Sequence, residues 1–200
     1  MNNPTFTIFC GVNGAGKTTL HNFLRGEEDT HTFLNSDNLV AELNYDWRNF
    51  MQNVQAGRIV LERMMDNFRD KKSFSLETTN LSYSVEKYIR VAKQQGYFVE
   101  IYFVGIDNVD ILVDRVNSRI EKGGHGVSDR LVKAKFKGQF DAIPHFIDIV
   151  DRTILYNNKN QLTVAGIFGK TIFVDEKVPW AKKIKEEYEK NKASTRQKES

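Results

Sequence analysis

The clearest functional motif in the sequence is the run GVNGAGKT at positions 11–18. Its spacing, G-x-x-x-x-G-K-[ST], is one that cradles phosphates, because glycines let several backbone N–H groups converge on phosphate oxygens. Lys17 supplies a compact cation for the β- and γ-phosphates, and the hydroxyl of Thr18 is a hard oxygen ligand suited to Mg²⁺. The run therefore predicts a site for a nucleoside triphosphate. The nucleotide-binding residues it predicts are Asn13, Gly14, Ala15, Gly16, Lys17, Thr18 and Thr19.

Polar side chains also follow two other short apolar runs, at the segments NSD and ETTN. In a parallel sheet, the loops after the strands gather at one edge, where a phosphate-binding loop also lies. Asp37 is thereby placed where a carboxylate accepts a proton from an acceptor hydroxyl. Glu77, Thr79 and Asn80 add a carboxylate, a hydroxyl and an amide that suit a polyhydroxylated acceptor.

Helix capping competes with this functional interpretation. Asp37 would also serve as the N-cap of a helix beginning near Asn38, and Thr79 or Ser82 as the N-cap of the helix that contains Val85. Taken singly, each residue fits either role. Because these residues occur together beside a phosphate-binding run, a catalytic or binding role is favoured over capping.

The elements that must position these side chains follow from the hydrophobic pattern. Four short β-rich runs alternate with helix-like periods, which predicts an α/β fold of three layers with a mostly parallel sheet. Asp107 is the expected N-cap of the helix after the fourth strand, and a later helix is expected to kink at Pro144. The predicted strands are 5–10, 31–35, 74–76, 99–106, 153–156, 162–165 and 171–174, with a turn flanked by Gly166 and Gly169; the predicted helices follow position 18 and cover parts of 47–68, 85–95, 107–122, 131–149 and the segment from Pro179 onward.

Composition sets the broad class. The chain has 200 residues, 40% hydrophobic and 28% charged, with a net charge of +3 and one cysteine, which excludes a disulfide-stapled or fibrous protein. We expect a single domain over residues 1–190, with a lid-like segment at 115–140 and a disordered basic and polar tail at 191–200. Because neither a secretory leader nor a membrane-length apolar run is visible, we expect a cytoplasmic protein.

Two classes of phosphate-loop protein fit the sequence poorly. A guanine-specifying N-K-x-D is lacking at Asn158-Lys159-Asn160, which argues against a GTPase switch. A mechanical ATPase would place paired acids after a long apolar strand, whereas Asp107 stands alone there. A small-molecule kinase is favoured. A sugar or sugar-nucleotide kinase, a kinase for another metabolite, a kinase for nucleic-acid ends and a non-catalytic nucleotide-binding module stay open as interpretations.

The chain resembles the zeta-toxin family of P-loop kinases. The resemblance rests on GVNGAGKTT, NSD, ETTNLS, RVNSRIEKGGHGV, DRTILYNN and PW. It implies ATP-dependent phosphorylation of a UDP-amino sugar, typically UDP-N-acetylglucosamine, with ATP and Mg²⁺ bound and a small helical antitoxin as a possible partner. By the same resemblance, Lys17 holds phosphates, Thr18 holds Mg²⁺, Asp37 is the catalytic base, Glu77 and Thr79 bind the sugar nucleotide, and Arg119, with Arg115, is a lid cation.

The lid segment departs from the family pattern. Where the family has an arginine pair followed by tyrosine, this chain has Lys133, Lys135 and Phe136. Lysine keeps the charge but lacks the planar fork that grips phosphate. Lys135 is therefore a candidate catalytic cation, and a slower enzyme is expected. Arg130, in the preceding helical turn, is a candidate to compensate. The same stretch is too weak a basic and aromatic pattern to predict nucleic-acid binding, and we expect no membrane partner either. His125 is interpreted as a loop or packing residue, and no zinc site is predicted.

Overall fold

The computed structural model describes residues 3–25 and 32–198, and its centre is a seven-stranded sheet. The strand order is β2-β3-β1-β4-β5-β6-β7. The first five strands of this order pair in parallel, and β6 pairs antiparallel with both β5 and β7. The strands are β1 (Thr5–Cys10), β2 (Thr32–Leu34), β3 (Phe74–Thr78), β4 (Phe98–Gly105), β5 (Arg152–Asn157), β6 (Thr163–Phe168) and β7 (Ile172–Val174).

Eight helices in the described residues flank this sheet, and the expected α/β fold is confirmed. None of them combines the length and apolar character that a bilayer crossing requires. The helices are α1 (Lys17–Arg25), α2 (Ser36–Glu42), α3 (Phe50–Arg69), α4 (Tyr83–Gln94), α5 (Val109–Glu121), α6 (Asp129–Phe136), α7 (Ile143–Ile149) and α8 (Pro179–Lys198).

The central position of β1 explains its composition. It pairs with β3 on one side and β4 on the other, and Phe6, Ile8 and Phe9 are fully buried. A strand covered on both faces reads as a near-continuous apolar run, which is how the sequence predicts it. Since β1, β3 and β2 are parallel, their carboxyl ends bring the three polar segments to one edge.

Two helix boundaries differ from the sequence prediction. The N-cap of α5 is Asn108, whose side chain accepts from the Asp110 N–H, and Asp107 instead pairs with Lys159 at 3.1 Å. The single helix predicted over 131–149 is two helices, because the chain takes a left-handed turn at Gly138 (φ +74°). Pro144 lies in the first turn of α7, where a missing N–H costs no helical hydrogen bond.

The C-terminal part also departs from expectation in two places. Gly166 lies inside β6, paired with β5 and β7, and does not flank a turn. The tail predicted to be disordered from residue 191 is helical as far as Lys198. The Lys, Ala, Arg and Gln residues of this stretch favour helix, and the earlier turns of α8 carry an i,i+4 pair between Lys183 and Glu187. Residue 31, the predicted start of the second strand, lies outside the described residues.

Candidate active site

The phosphate-binding loop joins β1 to α1 and depends on glycine at two positions. Gly14 (φ +84°) and Gly16 (φ +101°) adopt left-handed backbone conformations. A Cβ at Gly14 would lie 2.6 Å from the carbonyl oxygen of Leu112, and one at Gly16 would lie 2.4 Å from Nδ2 of Asn158. The loop therefore packs too closely against its neighbours to accept any side chain there.

Two distant residues brace this loop from outside. The Asn158 amide donates to the carbonyl of Ala15 at 2.8 Å. The Arg115 guanidinium donates to the carbonyls of Gly14, Asn158 and Lys159 at 3.5, 3.0 and 3.2 Å. Arg115, predicted as a lid cation, is thus held by backbone carbonyls of the loop and of the segment after β5, where it supports the loop directly.

The loop opens into a cavity of about 480 Å³. Every predicted loop residue except the buried Ala15 lines it, and Arg119 lies at its exposed rim. We refer to it as the nucleotide cavity. Its lining residues are Asn13, Gly14, Gly16, Lys17, Thr18, Thr19, Asp37, Asn38, Glu77, Arg115, Val116, Arg119 and Asn158.

Glu77 contacts both functional side chains of the loop. Its Oε2 accepts a 2.7 Å hydrogen bond from the Thr18 hydroxyl, and its Oε1 lies 3.5 Å from Lys17 Nζ. The Lys17 side chain is 5% exposed and that of Glu77 is 10% exposed, so this is a largely buried cluster. A hydroxyl and a carboxylate are the hard oxygen donors that Mg²⁺ prefers, and the donor set therefore fits that ion.

The capping role considered for Asp37 belongs to another residue. The Asn35 side chain accepts from the N–H groups of Asp37 and Asn38, at 2.8 and 3.3 Å, and is the N-cap of α2. The Asp37 carboxylate is thereby left to face the site, where Oδ1 lies 3.3 Å from Nε2 of His125. At α4, Ser82 holds the N-cap position without a side-chain capping bond among the described residues.

A second cavity of about 560 Å³ lies beside the first. Asn13, Asp37 and Glu77 line both cavities, so these three side chains form their common wall. We refer to the second as the acceptor cavity. The rest of its lining consists of Asn35, Ser36, Trp47, Arg48, Asn53, Thr78, Thr79, His125, Gly126, Val127, Leu131 and Lys135.

Lys135 reaches from α6 into the acceptor cavity. Its Nζ donates to Thr79 Oγ1 at 2.9 Å and to Asn13 Oδ1 at 3.3 Å. Burial lowers the pKa of this ammonium, the charge of Lys17 lowers it further, and Asp37 acts in the opposite direction. Lys135 thus joins the phosphate-binding loop to the polar segment after β3, as a cation bonded there to two neutral oxygens.

Two residues named from the sequence lie away from the acceptor cavity. Asn80 lines a separate cavity of about 280 Å³ behind the loop, and its carbonyl accepts from the Thr78 hydroxyl at 3.1 Å. Arg130, a candidate to support the lid, is exposed and lines an outer hollow with Asp129 and Lys133. The predicted acceptor contacts that the structure brings together are Glu77 and Thr79.

Sequence reasoning missed several residues of the site. Trp47 and Arg48 form one wall of the acceptor cavity, with the Arg48 guanidinium 4.1 Å from the Trp47 ring centroid. The Asn53 side chain donates to the Trp47 carbonyl at 2.7 Å and holds this turn. The signal available was an aromatic and a cation next to each other between two helices, which is common on ordinary surfaces. His125 is in a loop, as the sequence predicts, but it also lies 3.3 Å from Asp37, which the sequence does not predict.

The sheet order, the loop and the paired cavities define a P-loop kinase-like fold. A family profile described as "AAA domain" matches residues 6–142, more than half of the chain, and the protein belongs to this family. The family implies ATP binding. A Haemophilus influenzae protein, described as uncharacterized, is 27% identical over 129 residues, which is 64% of this chain and 90% of that protein.

Solved structures agree on the fold. A chain of the AvrRxo1-ORF1:AvrRxo1-ORF2 complex superposes with a TM-score of 0.68 at 16% identity, over 91% of this chain and 63% of that one, so this protein spans less than two thirds of its length. A crystal structure of the same complex with ATP is similar, with a TM-score of 0.67. The PezAT toxin-antitoxin system of Streptococcus pneumoniae contains a chain with a TM-score of 0.65 at 16% identity, over 97% and 88% of the two chains. At these identities the likeness shows the fold alone.

Proposed function

We propose that the protein is an ATP-dependent kinase that phosphorylates a hydroxyl of a UDP-amino sugar, with UDP-N-acetylglucosamine as the first candidate. The observation that carries the proposal is the common wall of the two cavities. Asp37 faces the nucleotide cavity on one side and the acceptor cavity on the other. A carboxylate at that boundary is where a base must lie to take a proton from a hydroxyl that attacks a terminal phosphate.

The reaction is an in-line displacement in which positions and charges do most of the work. The acceptor oxygen forms a bond to the γ-phosphorus while the bond from that phosphorus to the bridging oxygen breaks. ADP departs with the electron pair, and the acceptor proton passes to the carboxylate of Asp37. Lys17, Arg119 and Lys135 offset the charge on the phosphate oxygens. When bound, Mg²⁺ adds to this charge offset, and Thr18 with Glu77 would hold it.

The shape and polarity of the acceptor cavity favour a ring with an attached anion. Trp47 offers an aromatic face against which a sugar or base ring packs, and Arg48 and Lys135 offer cations for a diphosphate. Amide and hydroxyl groups of Asn13, Asn53 and Thr79 supply partners for sugar hydroxyls. The resemblance to zeta toxins names a substrate with these same parts.

Transfer of labelled phosphate tests the proposal directly. The protein is incubated with γ-labelled ATP and Mg²⁺, and with UDP-sugars, simple sugars or oligonucleotides in parallel reactions. We expect label on the UDP-amino sugar. Label on oligonucleotide ends alone would assign the protein to nucleic-acid repair, and no transfer to any acceptor would reduce it to a nucleotide-binding module. Asp37→Asn should keep ATP affinity and lower turnover ~10²- to 10⁴-fold, whereas Asp114→Asn, on the exposed part of α5, is the matched control.

The resemblance also brings a partner into the proposal. The two structural relatives named above each come with a second protein: one is part of the AvrRxo1-ORF1:AvrRxo1-ORF2 complex and the other of a toxin-antitoxin system. We propose a small helical antitoxin that covers the nucleotide cavity, whose rim carries the exposed Arg119. Such a partner would compete with ATP. Co-expression with the neighbouring open reading frame and a pull-down with and without ATP test this, and capture unaffected by ATP would contradict it.

A further inference from the structure

His125 lies against the proposed base, although nothing in its sequence surroundings assigns it a role. Its Nε2 is 3.3 Å from Oδ1 of Asp37, and its side chain is 13% exposed. Both residues line the acceptor cavity. The contact joins α2 to the loop between α5 and α6, which are 88 positions apart in the chain (125 − 37).

The surroundings of the imidazole select one tautomer. Nδ1 is buried and has no hydrogen-bond partner among the described residues, whereas Nε2 faces a carboxylate that, when ionised, only accepts. A hydrogen on Nδ1 would be a buried donor without an acceptor, which costs about 1–3 kcal/mol. Placed on Nε2, the hydrogen sits on the ring nitrogen that lies 3.3 Å from a carboxylate acceptor. Burial also lowers the pKa of His125 from 6.5, with Asp37 opposing and Arg119 adding to the shift, so the neutral ring predominates at pH 7.

Close packing fixes the position of the ring. A Cβ at Gly124 would lie 2.8 Å from Cγ of Arg119, and a Cβ at Gly126 would lie 2.3 Å from Cγ1 of Ile120. Trp47 contacts the imidazole with ring centroids 5.7 Å apart. His125 thus lies between two glycines, Gly124 and Gly126, at positions where a side chain would crowd Arg119 and Ile120.

We infer that His125 is a positioning residue for the base. Its Nε2–H holds Oδ1 of Asp37 and leaves Oδ2 for the acceptor hydroxyl, and because the ring is neutral it orients the carboxylate without cancelling its charge. This inference rests on the proposed function and adds a positioning residue beside Asp37. A fixed orientation matters because a misplacement of about 1 Å in a reacting group can cost ~10²-fold in rate.

A set of four variants tests the inference through kinetics: two single substitutions of His125, Asp37→Asn, and Asp37→Asn combined with His125→Leu. His125→Leu removes the donor at similar volume, and His125→Gln keeps an amide donor near the position of Nε2. We expect His125→Leu to lower kcat ~10- to 100-fold with the KM for ATP unchanged, and His125→Gln to recover most of that loss. In an Asp37→Asn background, His125→Leu should have little further effect, because residues that act through one another are not additive. Equal losses in the Leu and Gln variants, or an undiminished loss in the Asn background, would overturn the role.

The tautomer provides a readout that needs no acceptor. In ¹⁵N spectra of the histidine side chains at pH 7, wild type should show His125 with the hydrogen on Nε2, and Asp37→Ala should shift the Nε2 resonance because the carboxylate 3.3 Å away is lost. A hydrogen on Nδ1 in wild type refutes the contact itself. If wild type shows the Nε2 tautomer but transfers phosphate to no acceptor, the proposed function fails while the Asp37 contact stands. Phosphate transfer without the Nε2 tautomer would instead support the kinase function and contradict the role of His125.

Discussion

The hydroxyl of Thr18 donates a 2.7 Å hydrogen bond to Oε2 of Glu77. The other oxygen of the same carboxylate lies 3.5 Å from Lys17 Nζ, so one acidic side chain holds the two groups that a nucleotide needs. Phosphate oxygens must take over the ammonium when ATP binds. Glu77 therefore has two opposing effects, since it repels the phosphates while it offers an oxygen ligand to the metal ion that accompanies them.

Because Glu77 has both effects, Glu77→Gln should change ATP affinity and turnover in opposite directions. With metal chelated, ATP should bind about 5-fold more tightly, because removal of a nearby negative charge is worth on the order of 1 kcal/mol at this depth. With Mg²⁺ present, turnover should fall, since the amide is a poorer ligand for a hard cation. Calorimetry in EDTA measures the first effect and phosphoryl transfer in Mg²⁺ measures the second, and Glu62→Gln on the exposed face of α3 is the control. Unchanged affinity in EDTA would show that Glu77 does not compete for Lys17.

Lys133 and Lys135 lie on the same helix, α6, and allow a lysine of the site to be compared with a lysine of the surface. Lys135 donates to Thr79 and Asn13, whereas Lys133 is exposed and lines an outer hollow. Lys135→Ala should lower phosphoryl transfer ~10²- to 10³-fold, the usual cost of removing one preorganised donor to a charged transition state. Lys133→Ala should leave transfer near wild type. Equal effects of the two variants would remove Lys135 from the site.

Lys135→Arg tests whether the departure from the zeta-toxin pattern limits the rate. Arginine presents a planar fork that binds two phosphate oxygens at once. We expect transfer at or above the wild-type rate, measured as kcat with saturating ATP. A drop as large as that of Lys135→Ala would mean that the contacts to Thr79 and Asn13 require the compact ammonium.

The sequence predicted best those features that depend on neighbouring residues. β1 and the loop after it were predicted to the residue, because an apolar run and a fixed glycine spacing carry the information locally. The common edge for Asp37 and Glu77 followed from parallel topology alone. In contrast, whether Asp37 caps α2 depends on which of three successive polar residues turns inward, and Asn35 does so.

Features that depend on distant contacts could not be predicted. Asn158 braces a loop that lies 143 positions earlier in the chain, and Arg115 reaches back 101 positions. Trp47 and Arg48 carry no motif, and their role comes from the placement of the α2–α3 connection beside the acceptor cavity. The break between α6 and α7 was also missed: a kink was predicted at Pro144, whereas the chain turns at Gly138 in a left-handed conformation.

Trp47 gives a prediction that separates acceptor binding from ATP binding. Its ring lines the acceptor cavity and is not among the residues that line the nucleotide cavity. Trp47→Ala should raise the KM for the acceptor about 3- to 10-fold, the value of one aromatic contact, and leave the Kd for ATP unchanged. Phe50→Ala, at an aromatic side chain that is 75% exposed, is the control. A parallel loss of ATP affinity would show that the ring supports the fold and not the acceptor.

The buried imidazole of His125 also predicts how stability depends on pH. Its pKa in the folded protein lies below 6.5, the value in an unfolded chain, because burial outweighs the opposing charge of Asp37 and Arg119 adds to the burial effect. Between these two values the unfolded state binds the proton more readily, so the free energy of unfolding falls as the pH drops below about 6.5. One proton sets an upper limit of about 1.4 kcal/mol per pH unit on this slope. Urea unfolding between pH 7.5 and 5.5 should therefore show a steeper loss for wild type than for His125→Gln, which cannot take up that proton. Parallel curves for the two proteins would mean that His125 is as easily protonated in the folded state as in the unfolded one.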